Sequence, residues 1–239
     1  MIRKAVILCG GLATRLLPIT KSIPKEMMPI INRPAIDYCI QDLKNNGITQ
    51  ILIVLGRDKE CLESYYDRNI ETEQRVASKS SELQKQMNSM FEGVNIYFTR
   101  QKYAKGTGYA VWESKDFVGN EPFILMYPDE LIIGSSYTKT LIEWYKKTNA
   151  SIIPIKRVPI EQSIKYGMVA VTNTDNGYRI NAIVEKPEPK NSPSDICYLG
   201  GGLFTPDVFE YININKNSNG EEVYFTDAFT KLIEKDNLY

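Results

Sequence analysis

The chain has 239 residues, 43% apolar and 24% charged, values of an ordinary folded protein that exclude a disordered, collagenous or coiled-coil chain. Lysine plus arginine and aspartate plus glutamate both number 29, so no bulk positive field exists to hold nucleic acid or an anionic membrane, and any anion must be bound locally. Histidine is absent, which removes Ser-His-Asp triads, Cys-His pairs, histidine metal sites and an imidazole base together.

The elements follow in chain order. Ala5–Leu8 is a short aliphatic run stopped by Gly10-Gly11, the pattern of a buried strand feeding a loop. Ala35–Asn46 sets Ile36, Cys39, Ile40 and Leu43 at helical spacing, ends in Asn46-Gly47 and leads into the apolar run Ile51–Leu55. The alternation continues with a strand near Asn95–Thr99, a helix from Gly108 to Ser114, a strand at Phe123–Met126, a helix at Tyr137–Thr148 and a strand at Ser151–Ile155. Strands alternating with helices predict an α/β fold: a Rossmann-like, mostly parallel sheet with helices on both faces and ligands at the strand C-termini. Within Glu71–Met90, a polar stretch, only Val76, Leu83, Met87 and Met90 fall at helical spacing, so it predicts a solvated helical excursion over about 68–92 that packs one narrow stripe. Met168–Val171 and Tyr178–Val184 flank the turn Asn173–Gly177 as a β-hairpin, which makes the sheet mixed. Pro206–Ile214 and the polar stretch Asn215–Glu222 precede a last helical pattern, Thr226–Lys235, whose Phe229, Leu232 and Ile233 form a stripe that needs a partner. With no repeat and no long linker, one domain over residues 1–239 is expected.

Cys9, Cys39, Cys61 and Cys197 are far apart without a CxxC pair, the usage of reduced thiols. No apolar run approaches the ~20 residues of a membrane span. The start is too short and glycine-broken for a signal peptide, so the expected location is the cytoplasm.

The densest chemical signal runs from Leu8 to Pro29. A Gly-Gly turn directly after a buried strand serves either as a plain tight turn or as a cradle of backbone N–H groups for a phosphate; the cations Arg15 and Lys25 in a short apolar loop favour the cradle. GxxxxGK[ST] and GxGxxG are both absent. Asp129, just past the strand Phe123–Met126, is alternatively a turn or cap aspartate or a single carboxylate for a divalent ion. Glu185-Lys186-Pro187 taken alone is a polar strand exit, and Thr226-Asp227 reads as the cap of the last helix.

Taken together, these strings resemble the bacterial UTP–glucose-1-phosphate uridylyltransferases among the sugar nucleotidyltransferases. The resemblance rests on Gly10-Gly-x-x-Thr-Arg-x-x-Pro18, Ile23-Pro-Lys-Glu-Met-Met-Pro-Ile30 and Arg33-Pro-Ala-Ile36, then on Gln101 with Lys105-Gly-Thr-Gly-Tyr-Ala110. It continues through Pro128-Asp129, Tyr166-Gly167, Val184-Glu-Lys-Pro187, Gly200 and Gly220-Glu-Glu-Val-Tyr-Phe-Thr-Asp-Ala228, in the family's order. It implies the nucleotide-diphospho-sugar transferase fold and the substrates UTP and glucose 1-phosphate, with Mg²⁺. Arg15, Lys25 and Lys186 would clamp phosphates. The backbone of Leu8 with Gly10 and Gly11 would approach the nucleotide, while Glu26, Gln101 and the backbone at Gly106 would read the uracil edge. Asp129 would hold Mg²⁺, Glu185 would accept sugar hydroxyls, and Gly167 and Gly200 would admit the sugar ring. The chemistry suits a chain without histidine, because a sugar phosphate with a second pKa near 6 is already largely dianionic at pH 7 and needs no base.

The sequence departs from the family pattern in three places. Ala13 stands where a glycine is usual and Tyr109 where a histidine is common. The family also usually continues past the position of Tyr239, through a strand and an aspartate–glycine motif into helices that support dimers; a monomer or weak homodimer with slower catalysis is therefore expected. The open alternatives are another base or hexose 1-phosphate, a nucleotide-sugar-binding relative without turnover, and a retaining-type glycosyltransferase using Asp129-Glu130.

Overall fold

The computed structural model describes residues 1–132, 134–215 and 222–239. Gly220 and Glu221, and with them most of the polar stretch Asn215–Glu222, lie outside the described residues. Five strands form the central sheet in the order Gly202–Phe204, Phe123–Met126, Lys4–Cys9, Gln50–Leu55, Asn95–Arg100. Four of them are parallel and only Gly202–Phe204 runs antiparallel to its neighbour, the mixed, mostly parallel sheet that the alternation predicts.

Successive side chains of a strand point to opposite faces, and the opening strand feeds two cores accordingly. Ala5, Ile7 and Cys9 join Ile36, Ile40 and Leu43 of the helix Ala35–Asn45. Val6 and Leu8 join Val111, Phe204 and Phe229 on the other face. Because both faces are covered, the strands are continuous apolar runs instead of alternating ones.

A second, antiparallel sheet orders Ile155–Arg157, Ile196–Tyr198, Gly167–Thr174 and Gly177–Glu185. Its last two strands are the expected hairpin, lengthened at both ends. The expected strand Ser151–Ile155 is corrected: Ser151 and Ile152 make only single bridges, to Leu238 and Leu203, and the ladder begins at Ile155. Pro154 separates the two parts because it has no N–H to donate.

Two further expectations change. The polar excursion is two helices, Ile70–Ala77 and Ser81–Phe91, the second capped by Ser80 accepting from the Leu83 N–H at 3.3 Å. Of its predicted stripe, Met90 packs on the core while Leu83 is 52% exposed. The last helix is a 3-10 turn, Phe225–Ala228, followed by the short helix Phe229–Glu234. Its apolar stripe is covered within the chain: Phe229 and Leu232 are fully buried, and Phe229 lies against Tyr198, Phe204 and Phe225.

Candidate active site

The loop after Lys4–Cys9 lies against the side chain of Gln101. A Cβ at Gly10 would lie 2.6 Å from Gln101 Oε1, so any larger residue there requires that amide to move. Gln101 in turn directs Nε2 to the Gly106 carbonyl at 3.4 Å. Gly106 itself has φ of 98° with the Val223 carbonyl 2.5 Å from any Cβ. Gly10, Gln101 and Gly106, far apart in sequence, are thus gathered at the C-terminal ends of parallel strands. Leu8 sends its side chain into the core, leaving only its backbone near the loop.

Lys25 reaches over this loop, its Nζ 3.7 Å from the position of a Cβ at Gly11, and donates to Asp129 Oδ2 at 2.5 Å. The expected phosphate clamp and the expected metal ligand therefore hold one another across the ends of two adjacent strands. Arg15, on the turn Thr14–Leu16, is exposed, and among the described residues no hydrogen bond or ion pair holds it. Ala13 takes φ of 50° and ψ of 40°. The loop therefore adopts a left-handed conformation in spite of the methyl group, at a cost of roughly 1–2 kcal/mol.

Glu26 is 1% exposed and pairs with the buried Lys59 at 2.7 Å, so its carboxylate is enclosed and held by an ammonium. Its second oxygen, Oε2, has no hydrogen-bond partner. Burial, followed by the Glu26 charge, pushes the neighbouring Cys9 thiol up. Lys59 escaped the sequence reading because it lies 33 residues on from Glu26; its position soon after the strand Gln50–Leu55 was the available signal.

The antiparallel sheet supplies the other half. Gly167 sits opposite Glu185 in the hairpin register. Glu185 Oε2 accepts from Thr226 Oγ1 at 3.1 Å, and its Oε1 lies 3.5 Å from Lys186 Nζ. Thr226 is therefore not the expected helix cap: its hydroxyl donates to a carboxylate, and the first N–H of that turn, at Phe225, goes to Thr107 Oγ1 at 3.1 Å. Lys186 adopts φ of 46°, its N–H bonded to the Tyr166 carbonyl at 3.0 Å and its ammonium 5.4 Å from the Tyr224 ring. A non-glycine residue held in that region marks a position the surroundings over-determine.

Both halves meet at Tyr127, whose hydroxyl is pushed up first by burial and then by Glu130, Asp129 and Glu185. Of these three carboxylates, Glu130 lines the recess beside Tyr127. The Glu130 carboxyl is pushed up to about 7, by desolvation in the recess first and then by Asp129, with Lys25 opposing. Its Oε2 lies 3.1 Å from the position of a Cβ at Gly200, whose carbonyl accepts from Tyr137 OH at 3.3 Å. A cleft of about 890 Å³ opens here, with Tyr38, Asp42, Met126, Glu130, Tyr166 and Gly200 among its walls. No cluster of three or more metal-binding side chains exists among the described residues. Asp129, about half exposed with Glu130 beside it, offers oxygen donors only, a set that fits a hard divalent ion completed by substrate oxygens and water.

A glycine turn with Lys25 and Asp129 at the ends of parallel strands, beside an antiparallel sheet bearing Glu185, is the architecture of an α/β fold with its candidate site at the strand C-termini. Residues 4–239 match the family described as nucleotidyl transferase, and the chain belongs to that family. The glycosyltransferase reading of Asp129-Glu130 is set aside with it. The whole chain is 36% identical to 81% of a UTP–glucose-1-phosphate uridylyltransferase of Streptococcus pyogenes. It is equally identical to 82% of the protein of that name from Bacillus subtilis. Among solved structures, a UDP-glucose pyrophosphorylase complexed with UDP-glucose superposes with a TM-score of 0.83 at 33% identity, over 98% of this chain and 88% of that one. The UTP-bound enzyme of Acinetobacter baumannii gives 0.86 at 32% identity, over 100% and 85%.

Proposed function

We propose that the chain is a UTP–glucose-1-phosphate uridylyltransferase that forms UDP-glucose and pyrophosphate with Mg²⁺. The observation that carries this reading is the pairing of Lys25 with Asp129 over Gly11 at the strand ends, with Glu185 and Lys186 3.5 Å apart on the hairpin. A cation beside a glycine turn suits phosphates and a carboxylate suits sugar hydroxyls, and relatives along the whole chain carry this activity in their names.

In the reaction a phosphate oxygen of glucose 1-phosphate bonds to the α-phosphorus of UTP while the bond from that phosphorus to the bridging oxygen breaks, releasing pyrophosphate. No proton has to move, since the nucleophile is already a dianion near pH 7. The work is positioning and charge neutralisation. The loop N–H groups near Gly10 and Gly11, with Lys25, receive the nucleotide phosphates, and Arg15 adds a cation free to fold over the leaving group. Gln101 and the Gly106 backbone, with Glu26 held by Lys59, read the base. Glu185, oriented by Thr226, accepts sugar hydroxyls beside Gly167 and Gly200, and Lys186 meets the sugar phosphate. Asp129 would hold Mg²⁺, which supplies Lewis-acid neutralisation of the phosphates.

Coverage of the Phe229–Leu232 stripe within the chain supports a monomer or weak homodimer. Free thiols at all four cysteines, and the absence among the described residues of a helix long and apolar enough to cross a membrane, support placement in the cytoplasm. Pyrophosphate release across a grid of nucleoside triphosphates and sugar 1-phosphates tests the reading. UTP with glucose 1-phosphate should be fastest and EDTA should stop it. Tight UTP binding without release would identify a binding relative instead.

A further inference from the structure

The cleft beyond Gly200 is larger than a hexose needs. Its volume of about 890 Å³ lies in the range that holds drug-sized ligands, and Gly200, Tyr166 and Glu130 form its near wall. It is therefore continuous with the place where the sugar ring is read to sit.

The polar atoms of the lining are mostly spoken for. Tyr38 OH donates to the Ile30 carbonyl at 2.7 Å, Tyr137 OH to the Gly200 carbonyl, and Asp42 accepts the Thr138 N–H at 2.8 Å. Two charged groups on the walls, the Glu130 carboxyl and the Lys156 ammonium, have no hydrogen-bond or ion-pair partner among the described residues. Tyr127 and Tyr166 also line it, and the remaining surface is mainly aliphatic, from Ile30, Met126, Leu131, Ile132, Ile155 and Leu199. At the mouth, Ile30 is 36% and Ile132 44% exposed, while Ile31 is 94% exposed at φ of 61°. A β-branched residue at positive φ is an outlier, and here it holds an apolar tip outward at the rim of a recess. Clustered exposed apolar surface beside a site marks something that binds there.

We infer that this cleft is an annex of the sugar site that accepts an acylamino substituent, so that the enzyme takes N-acylated amino-hexose 1-phosphates as well as glucose 1-phosphate. An acylamino group carries one donor, one acceptor and an apolar tail with no net charge. The annex offers one acceptor at Glu130, one donor at Lys156 and aliphatic walls, a complementary set. The bond changes at phosphorus are those already given, and the inference rests on Gly167, Glu185 and Gly200 forming the sugar end.

The test compares glucose 1-phosphate, N-acetylglucosamine 1-phosphate and its N-butanoyl analogue, each with UTP and Mg²⁺. Both acylated sugars should turn over, and KM should fall by about 4-fold for each methylene added to the acyl chain, as apolar burial of one CH₂ requires. Ile30→Ser, on the exposed hairpin, should raise KM for the N-butanoyl substrate several-fold and leave KM for glucose 1-phosphate unchanged. Lys156→Met should weaken both acylated substrates alone. Turnover of glucose 1-phosphate with none of the acylated sugars, or variants that shift all three substrates equally, would overturn the annex. Should no pair turn over, the uridylyltransferase reading fails separately. Calorimetric binding of the acetyl and butanoyl sugars in the presence of UTP then reads the annex directly, and equal affinities would reject it.

Discussion

Lys25 and Asp129 hold one another at the ends of two adjacent strands, where the proposed function brings in two anionic substrates. A divalent ion approaching Asp129 without nucleotide must compete with an ammonium for the same oxygen, whereas nucleotide phosphates can take the ammonium over. A partly exposed pair of this kind contributes about 0.2–1 kcal/mol. Lys25→Met should therefore bind Mg²⁺ roughly 1.5- to 5-fold more tightly than the parent in the absence of nucleotide. The same variant should lose about 10²–10³ in turnover, the cost of removing one preorganised charge aimed at a transferring phosphoryl group. Calorimetric titration of metal into the nucleotide-free proteins reads the first effect, and weaker metal binding by the variant would refute the competition. Lys25 and Asp129 were legible in the sequence because each follows a recognisable signal, a glycine turn and a strand end. Glu26 and Thr226 were not, because their partners Lys59 and Glu185 are set by the tertiary fold and not by local spacing.

Elements rich in aliphatic residues were legible to within a residue or two: Phe123–Met126 and Tyr137–Thr148 fall where the periodicity puts them. Ser151–Ile155 was not, since an apolar run looks the same whether it pairs along its length or crosses between two sheets. The opposite ends of the central strands, away from the site, are tied electrostatically. Glu121, two residues before Phe123–Met126, pairs with Lys4 at 2.9 Å and Arg3 at 2.7 Å, and their hydrogen bonds hold its carboxyl down at about 2. A depressed carboxyl contributes stability above its unfolded pKa and loses it as pH falls through the folded one. Glu121→Gln should thus lower the urea midpoint at pH 7. The difference from the parent should shrink between about pH 4.5 and 2, with turnover at pH 7 unaffected. A pH-independent difference would show that the pair acts through packing alone. At the other face, Phe229 is fully buried among three aromatic rings. Phe229→Ala should cost about 3–5 kcal/mol, read as a fall in the urea midpoint; a loss below about 1 kcal/mol would mean that the helix Phe229–Glu234 is not integral to the core.

At the scale of the molecule, the proposed function assigns the nucleotide half of the site to the parallel sheet and the sugar half to the antiparallel sheet. The alternation of strands and helices made the first sheet legible. Of the second, only the hairpin was, because Ile155–Arg157 and Ile196–Tyr198 are three-residue strands with too few positions to show a period. Among the described residues, side-chain bonds that tie the antiparallel sheet to its surroundings here are Thr226 to Glu185 and Tyr198 OH to the Gly201 carbonyl that precedes the edge strand Gly202–Phe204, at 2.9 Å. A ligand that touches both halves should therefore stabilise the fold more than one confined to the nucleotide half. At a hundred times its dissociation constant any single ligand adds about 2.7 kcal/mol, which for a chain of this length raises Tm by about 5–11 °C. At one fixed concentration, UDP-glucose should raise Tm further than UDP. Glu185→Gln should keep the UDP shift and lose the excess seen with UDP-glucose, because the altered residue stands on the sugar half alone. If the variant loses both shifts in equal measure, the division of the site between the two sheets is wrong. If UDP and UDP-glucose act alike on the parent protein, the sugar does not reach the hairpin that bears Glu185 and Lys186.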